Sequence, residues 1–276
     1  IALQKKGDIH VFKQKGKVRD LQDFIADKNT SSSLGIGHTR WATHGLPNDT
    51  NAHPHQSGNK QISLVHNGII ENYAILKQEL EQRGHHFLSE TDTEVLVHLI
   101  EDIQEKSKLS LFEAVRVALC EVVGAYAIVV IDKANPNQLI AARKSSPLVI
   151  GIGEDEYFLA SDATPIVEYT KNVIYLDDDE IALIDLNKGL TLKTISNEIK
   201  TPYIQELEMH LEALEKGGYE HFMLKEIYEQ PSAIRNSIRG RLDFNAGTAV
   251  LSGLDFNSRD LTSIKRILIV GCGTSM

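Results

Sequence analysis

Four short clusters hold the side chains that could do chemistry in this 276-residue chain. They are GHTRWATHG (37–45), NAHPH (51–55), HNGIIEN (66–72) and SETDTE (89–94). Each cluster falls at a predicted strand end, at a helix start or in a long loop, where side chains remain available to a ligand. A binding or catalytic site is expected where these clusters meet.

Arg40 and Asp92 place one cation and one anion in separate clusters. A guanidinium can bind a carboxylate through two parallel hydrogen bonds, so the pair could hold the two ends of an amino acid zwitterion. Each residue also has a simpler interpretation. Arg40 could form a surface ion pair, and Asp92 could stabilise a helix N-terminus. Sequence spacing does not show whether the two residues converge.

Asn67 and Gly68 end a predicted strand and could form an oxyanion hole. The asparagine amide and the glycine N–H are hydrogen-bond donors, and glycine lets a reacting carbonyl approach the backbone. The alternative is a plain Asn-Gly turn, which is the strongest short hairpin signal.

Five histidines lie in the same stretch and raise the alternative of a zinc hydrolase: His38, His44, His53, His55 and His66. Neither an HExxH motif nor a paired-cysteine motif accompanies them. We therefore predict structural or hydrogen-bonding roles for these histidines and no metal site.

The two cysteines, Cys120 and Cys272, are too far apart in sequence to form a disulfide framework, which favours a reducing cytosol. Cys120 is predicted to lie on the core side of a helix as a small buried residue. Cys272 belongs to a Gly-Cys-Gly-Thr-Ser turn, where Thr274 and Ser275 could meet a phosphate at a helix start.

Composition excludes several classes of protein. The net charge of −9 argues against nucleic acid as a partner, because phosphates would be repelled on average. No stretch approaches the ~18 apolar residues that a membrane span needs. The first ten residues do not have the pattern of a signal peptide.

Hydrophobic periodicity predicts the elements that position the clusters. A Thr91/Glu94 capping box predicts a helix start at Asp92. Other helices are predicted over 17–28, 71–84, 111–122 and 163–169, with an edge strand at 8–16, a short strand from 33, a buried strand over 62–68, and strands from 124 to 192. Because these strands are apolar on both faces, two stacked sheets with helices outside, an α+β sandwich, are expected.

In this order the four clusters resemble the class II glutamine amidotransferases, which are N-terminal nucleophile hydrolases, and within them the glucosamine-6-phosphate synthase branch. HFMLKEIYEQP (221–231) resembles the start of that branch's isomerase domain, and LIVGCGTS (268–275) resembles the first strand and phosphate turn of its sugar isomerase (SIS) fold. The resemblance implies a four-layer αββα glutaminase domain over 1–205. A linker and isomerase start would follow over 206–260, and the first strand of an α/β SIS domain over 261–276.

The resemblance also implies a glutamine-binding site. Arg40, helped by Thr43 and the His44 region, would bind the α-carboxylate of glutamine. Asp92, with the backbone of Gly68, would bind the α-ammonium group.

Further roles follow from the same resemblance. Asn67 and the glycine after it would form the oxyanion hole, Trp41 would gate ammonia, and His53 would lie in a loop near the pocket. Thr274 and Ser275 would contact the phosphate of fructose 6-phosphate.

The family attacks glutamine with the thiol of an N-terminal cysteine, which uses its own α-amine as base. Ile1 matches a position inside the family's domain, so the nucleophile is expected outside this chain, and the chain alone is expected to be inactive. The parent protein would transfer the glutamine amide nitrogen to fructose 6-phosphate, without a cofactor, as a cytoplasmic homodimer. Three alternatives remain: another class II amidotransferase, a non-catalytic glutamine-binding or regulatory module, and a histidine-rich metal protein.

Overall fold

The chain divides into two compact units, residues 1–211 and 212–276. A computed structural model describes residues 1–5, 7–40, 44–207, 218–239, 241–243, 247–249, 263–266 and 268. The described part of the first unit has four helices: α1 (Val18–Ile25), α2 (Tyr73–Gln82), α3 (Asp92–Ser107) and α4 (Leu111–Glu121).

Three antiparallel sheets accompany these helices. The large, seven-stranded sheet has the spatial order β13 (Ile199–Lys200), β12 (Gly189–Thr194), β11 (Glu180–Asp185), β7 (Gln138–Lys144), β6 (Gly124–Asp132), β5 (Ile62–Ile70) and β4 (His55–Gln56). A four-stranded sheet has the order β14 (Gln205–Glu206), β10 (Asn172–Tyr175), β8 (Val149–Ile152) and β9 (Tyr157–Ala160). A three-stranded sheet has the order β2 (Asp8–Val11), β1 (Ala2–Lys5) and β3 (Leu34–Ile36).

The large sheet is buried on both faces. Alternate residues of β5 show this, since successive side chains of a strand point to opposite faces. Leu64 belongs to one hydrophobic cluster with Leu96 of α3 and Leu119 of α4. Its neighbour Val65 belongs to a second cluster with Ile150 of the four-stranded sheet. The predicted α+β sandwich of stacked sheets with helices outside is therefore confirmed.

The chain does not turn at the Asn-Gly pair, so the turn interpretation of 66–68 is wrong. β5 continues through these residues to Ile70 and pairs with all nine residues of β6, from Ile62 opposite Asp132 to Ile70 opposite Gly124. Pairing with β6 satisfies the backbone beyond Asn67, which a local turn would not do. Asn67 and Gly68 therefore lie within a strand of the central sheet.

α3 begins at Asp92 and is capped by Thr91, as predicted, but the second half of the capping box is absent, because the Thr91 N–H donates to the Ser89 hydroxyl. The Thr91 hydroxyl accepts a hydrogen bond from the Glu94 N–H at 3.3 Å. The Glu94 carboxylate accepts from the N–H groups of Leu88, at 2.8 Å, and Ser89, at 2.6 Å. These bonds fix the connection that leads into Asp92, the first residue of the helix.

Two local predictions are wrong. Residues 163–169 form hydrogen-bonded turns rather than a helix, with Val167 N–H bonded to the Ala163 carbonyl and Thr170 N–H to the Ile166 carbonyl. Cys120 is exposed, because the buried stripe of α4 passes through Ala118 and Leu119 and leaves the next position outside.

The second unit contains α5 (Phe222–Ile238) and a hairpin of β15 (Leu242–Asp243) and β16 (Thr248–Ala249). Thr274, Ser275 and most of the LIVGCGTS segment (268–275) lie outside the described residues. Among the helices that the structure describes, none has the length and apolar content to span a membrane.

Gly68 is the position in β5 where only glycine fits. Its φ is +127°, and a Cβ there would lie 2.1 Å from the Ala125 carbonyl oxygen of β6. We expect Gly68→Ala to lower the free energy of unfolding by about 1–3 kcal/mol through backbone strain, and further through the clash. Urea denaturation followed by circular dichroism measures this loss.

Gly84→Ala is the matched control. Gly84 also has a positive φ, +94°, but a Cβ there would meet nothing within 4 Å. Gly84→Ala should therefore lower the free energy of unfolding through backbone strain alone. Equal losses for the two variants would show that close packing of β5 on β6 does not require glycine at position 68.

Candidate functional site

The four clusters meet around a cavity of about 260 Å³. The convergence of Arg40 and Asp92, which spacing could not show, is present in the structure. Asn67 and Gly68 line the same cavity. The full lining consists of His38, Arg40, His44, His53, His66, Asn67, Gly68, Ile69, Thr91, Asp92 and Thr93.

Three elements position these residues. Arg40 follows β3, Asn67 and Gly68 lie in β5, and Asp92 begins α3. The Ile70 N–H, at the end of β5, donates to Asp92 Oδ2 at 2.8 Å and so ties the strand to the helix. The oxyanion-hole candidates and the anionic residue therefore have a fixed spacing.

Arg40 is half-buried and braces the segment that follows it. Its Nη1 donates to the Leu46 carbonyl at 3.2 Å, and its Nη2 donates to the carbonyls of Gly45, at 3.1 Å, and His44. Burial lowers the pKa of the guanidinium, and the negative charge of Asp92 acts in the opposite direction. In this conformation Arg40 does not present the free two-pronged fork that the sequence suggested, because both Nη atoms bind backbone carbonyls.

Asp92 is a buried carboxylate beside open space. Its side chain is 4% exposed, and its Oδ1 lies 3.9 Å from Nδ1 of His44. The positive end of the α3 dipole stabilises the charge. Asp92 thus stabilises the N-terminus of α3, as the simpler interpretation of the sequence predicted. That role alone does not explain why its carboxylate also lines a cavity. A cationic ligand group would complement it there.

Asn67 is oriented by a histidine. Its Oδ1 lies 2.7 Å from His38 Nε2, which must donate this hydrogen bond because an amide oxygen can only accept. The Nδ2 group is thereby left as the donor end, and it has no acceptor among the residues that the structure describes. The His38 ring is itself held by stacking on His53, with 4.2 Å between ring centroids. This arrangement presents a donor of the kind that an oxyanion hole requires.

Three uncharged histidines, His38, His53 and His66, line the cavity, and a fourth, His55, packs behind His53. Burial is the main cause that lowers the pKa of His38, His53, His55 and His66, and it brings that of His55 to about 3. All four are therefore neutral near pH 7. Arg40 and Asp92 supply the charge at the cavity.

Each of these histidines has at least one ring nitrogen in an ordinary hydrogen bond, whereas Nδ1 of His38 has no partner among the described residues. His66 Nδ1 lies 2.9 Å from the Thr93 hydroxyl, and His66 Nε2 lies 3.4 Å from the Ala125 carbonyl. His55 Nε2 lies 3.1 Å from the Thr91 hydroxyl, and His53 Nδ1 accepts from the His66 N–H. These partners match the hydrogen-bonding roles predicted for the cluster.

Sequence reasoning missed the specific role of His38, which it counted only among the clustered histidines. No local signal was available for this role, because it depends on a contact between the segment after β3 and Asn67 of β5. Trp41 and Thr43 lie outside the described residues, whereas His44 and His53 both line the cavity.

His38→Ala should release the Asn67 side chain, because the variant removes the donor to Oδ1. We expect the two Asn67 side-chain amide protons to show a lower heteronuclear NOE and averaged chemical shifts in ¹⁵N NMR spectra. His10→Ala, on the exposed edge strand β2, is the control and should leave these signals unchanged. An equally rigid Asn67 amide in His38→Ala would contradict the positioning role.

A sequence model of the glutamine amidotransferase domain matches residues 19–209. The chain is 55% identical over 267 residues to the glutamine–fructose-6-phosphate aminotransferase (isomerizing) of Bacteroides thetaiotaomicron. This match covers 97% of this chain and 44% of that protein. It is 49% identical over 273 residues to the protein of the same name from Chlorobaculum tepidum, covering 98% of this chain and 44% of that protein. The chain thus spans less than half the length of these relatives.

The fold agrees with a solved structure. Glutamine phosphoribosylpyrophosphate (PRPP) amidotransferase from B. subtilis, complexed with ADP and GMP, superposes with a TM-score of 0.56 at 26% identity. The match covers 72% of this chain and 43% of that chain. Since the sequence model covers most of the chain and the fold agrees, this chain belongs to the glutamine amidotransferase domain family, with the fold of the class II enzymes.

Proposed function

We propose that the cavity binds L-glutamine and that the whole protein transfers its amide nitrogen to fructose 6-phosphate, giving glucosamine 6-phosphate and glutamate. One observation carries the proposal: a cation, a buried anion and an oriented amide donor converge on one cavity of about 260 Å³. A cavity of this size suits a single amino acid better than a larger ligand. The names of the relatives support fructose 6-phosphate as the acceptor.

In this proposal Asp92 binds the α-ammonium of glutamine together with the Gly68 backbone, and Arg40 binds the α-carboxylate. The carboxylate would take the place of the backbone carbonyls that Arg40 now binds in segment 44–46. Glutamine binding is therefore coupled to a rearrangement of that segment. Thr43 and the His44 region would complete the carboxylate site.

Asn67 Nδ2 and the Gly68 backbone stabilise the oxyanion of the tetrahedral intermediate. The nucleophile that the family resemblance implies is an N-terminal cysteine thiol, which forms a C–S bond to the glutamine side-chain carbonyl and expels ammonia. Water then cleaves the thioester and releases glutamate. Removal of one oxyanion donor typically costs about 10²–10³-fold in rate, which sets the scale expected for Asn67.

The remaining parts of the proposal rest on the family resemblance and concern residues outside the described part of the chain. Trp41 would gate the passage of ammonia, and Thr274 and Ser275 would hold the phosphate of the sugar. The homodimer and the cytoplasmic location stay predictions. Ammonia release coupled to different acceptor sugars, assayed with the full-length protein, tests the assignment of fructose 6-phosphate.

Asp92→Asn and Arg40→Gln should each weaken glutamine binding to this chain by about 30-fold or more, because each leaves one charge of the zwitterion without its partner. Isothermal titration calorimetry measures the change. Asp23→Asn and Arg19→Gln, on the exposed surface of α1, are matched controls and should bind glutamine like the parent.

N-acetyl-L-glutamine makes the experiment specific. It lacks the ammonium group, so its weaker binding should be insensitive to Asp92→Asn but still sensitive to Arg40→Gln. The proposed orientation is wrong if Asp92→Asn weakens the binding of both ligands equally. Undiminished glutamine binding in both variants would exclude this cavity as the glutamine site.

A further inference from the structure

A second cluster of ligand atoms lies outside the glutamine cavity. His85 comes from the connection between α2 and α3, and His98 and Glu101 come from α3. The Nδ1 atoms of the two histidines are 3.2 Å apart. Glu101 Oε2 lies 3.2 Å from His98 Nδ1 and 3.5 Å from His85 Nδ1. Three potential ligand atoms thus form a nearly equilateral triangle.

The surroundings favour the tautomers of His85 and His98 in which the lone pair of each Nδ1 atom points into this triangle. His85 Nε2 lies 3.3 Å from Asp102 Oδ1, so this nitrogen carries a proton and donates it. His98 Nε2 faces Glu94 Oε1 at 3.8 Å, which favours a proton there as well. In the neutral rings both Nδ1 atoms are then acceptors, and they face a carboxylate oxygen, which is also an acceptor. Three acceptors at this distance need a proton or a metal ion between them.

The dimensions of the triangle fit a tetrahedral metal ion. Zn²⁺ binds histidine nitrogen and carboxylate oxygen at about 2.0–2.2 Å, so neighbouring ligands of a tetrahedral ion lie about 3.3–3.6 Å apart. The observed separations are 3.2, 3.2 and 3.5 Å. Two imidazoles and one carboxylate suit zinc and similar transition metals, whereas Mg²⁺ and Ca²⁺ prefer oxygen ligands alone.

The ligands are held in place before any ion arrives. Glu101 accepts hydrogen bonds from the N–H groups of Gly58, at 3.0 Å, and Asn59, at 2.8 Å. Asp102, behind His85, is itself bound by Arg83 and Lys106. A carboxylate behind a ligating histidine is the usual second layer of a zinc site, since it fixes the ring and raises its basicity.

We propose that His85, His98 and Glu101 bind one divalent transition-metal ion of the zinc type, with water as the fourth ligand. The three residues line a cavity of about 920 Å³, through which the ion and the water can enter. The ion joins α3 to the connection that precedes it and, through Glu101, to residues 58 and 59. Its role is to stabilise the helix whose first residue is Asp92, and it takes no part in the glutamine reaction.

A proton is the competing occupant. Burial lowers the pKa of His98, but its hydrogen bonds to Glu101 and Glu94 outweigh burial and raise the pKa to about 9. The metal must displace this proton, as metals do at most histidine sites. Direct metal titration therefore separates the two occupants.

The test uses this chain after treatment with EDTA and dialysis, titrated with ZnCl₂ at pH 7.5 by calorimetry. We expect one Zn²⁺ per chain, a rise in the melting temperature, and a tetrahedral absorption spectrum when CoCl₂ replaces zinc. His85→Asn should weaken Zn²⁺ binding by more than about 100-fold, and Asp102→Asn, which removes only the second layer, by about 10–100-fold.

His85 is the more suitable ligand to replace, because its side chain is 13% exposed and that of His98 only 2%. His10→Asn is the control and should bind Zn²⁺ like the parent. Circular dichroism of the metal-free variants verifies their folding. The proposal is overturned if the EDTA-treated chain does not take up one Zn²⁺, or if His85→Asn binds Zn²⁺ as tightly as the parent.

Discussion

The hydrogen bond from Ile70 N–H to the buried Asp92 carboxylate joins the last residue of β5 to the first residue of α3. Both partners would be costly to leave unpaired, because one is a strand amide and the other a charge that is almost fully buried. The bond lies two residues beyond Gly68. It therefore fixes the spacing between the Asp92 carboxylate and the end of β5 that holds Asn67 and Gly68, and all three residues line the cavity.

Neutral surroundings make the two charges at the site effective. Three neutral histidines line the cavity and His55 packs behind one of them, so they add no charge, and each is held by hydrogen bonds or ring stacking. An interaction between a ligand and Arg40 or Asp92 is stronger here than on an open surface, because less water screens it. The histidines thus act on the electrostatics of the site even though none of them is predicted to transfer a proton.

The sequence predicted best the features that local chemistry decides. The start of α3 at Asp92 follows from the Thr91 cap, and the α+β sandwich follows from strands that are apolar on both faces. The course of β5 through Asn67 and Gly68 was not predictable, because it depends on pairing with β6, which begins at Gly124. The role of His38 depends on β3 and β5 approaching each other, so no local pattern reveals it.

The backbone carbonyls of segment 44–46 already accept hydrogen bonds from Arg40, so a ligand must displace them to bind the guanidinium. An isolated guanidinium in such a place would attract any small anion, including chloride and phosphate. Here an incoming anion gains only the difference between its own hydrogen bonds and those it displaces. A ligand that brings an ammonium group to Asp92 at the same time has a second source of binding energy. The conformation of segment 44–46 therefore favours a ligand with both a carboxylate and an ammonium group over a simple anion.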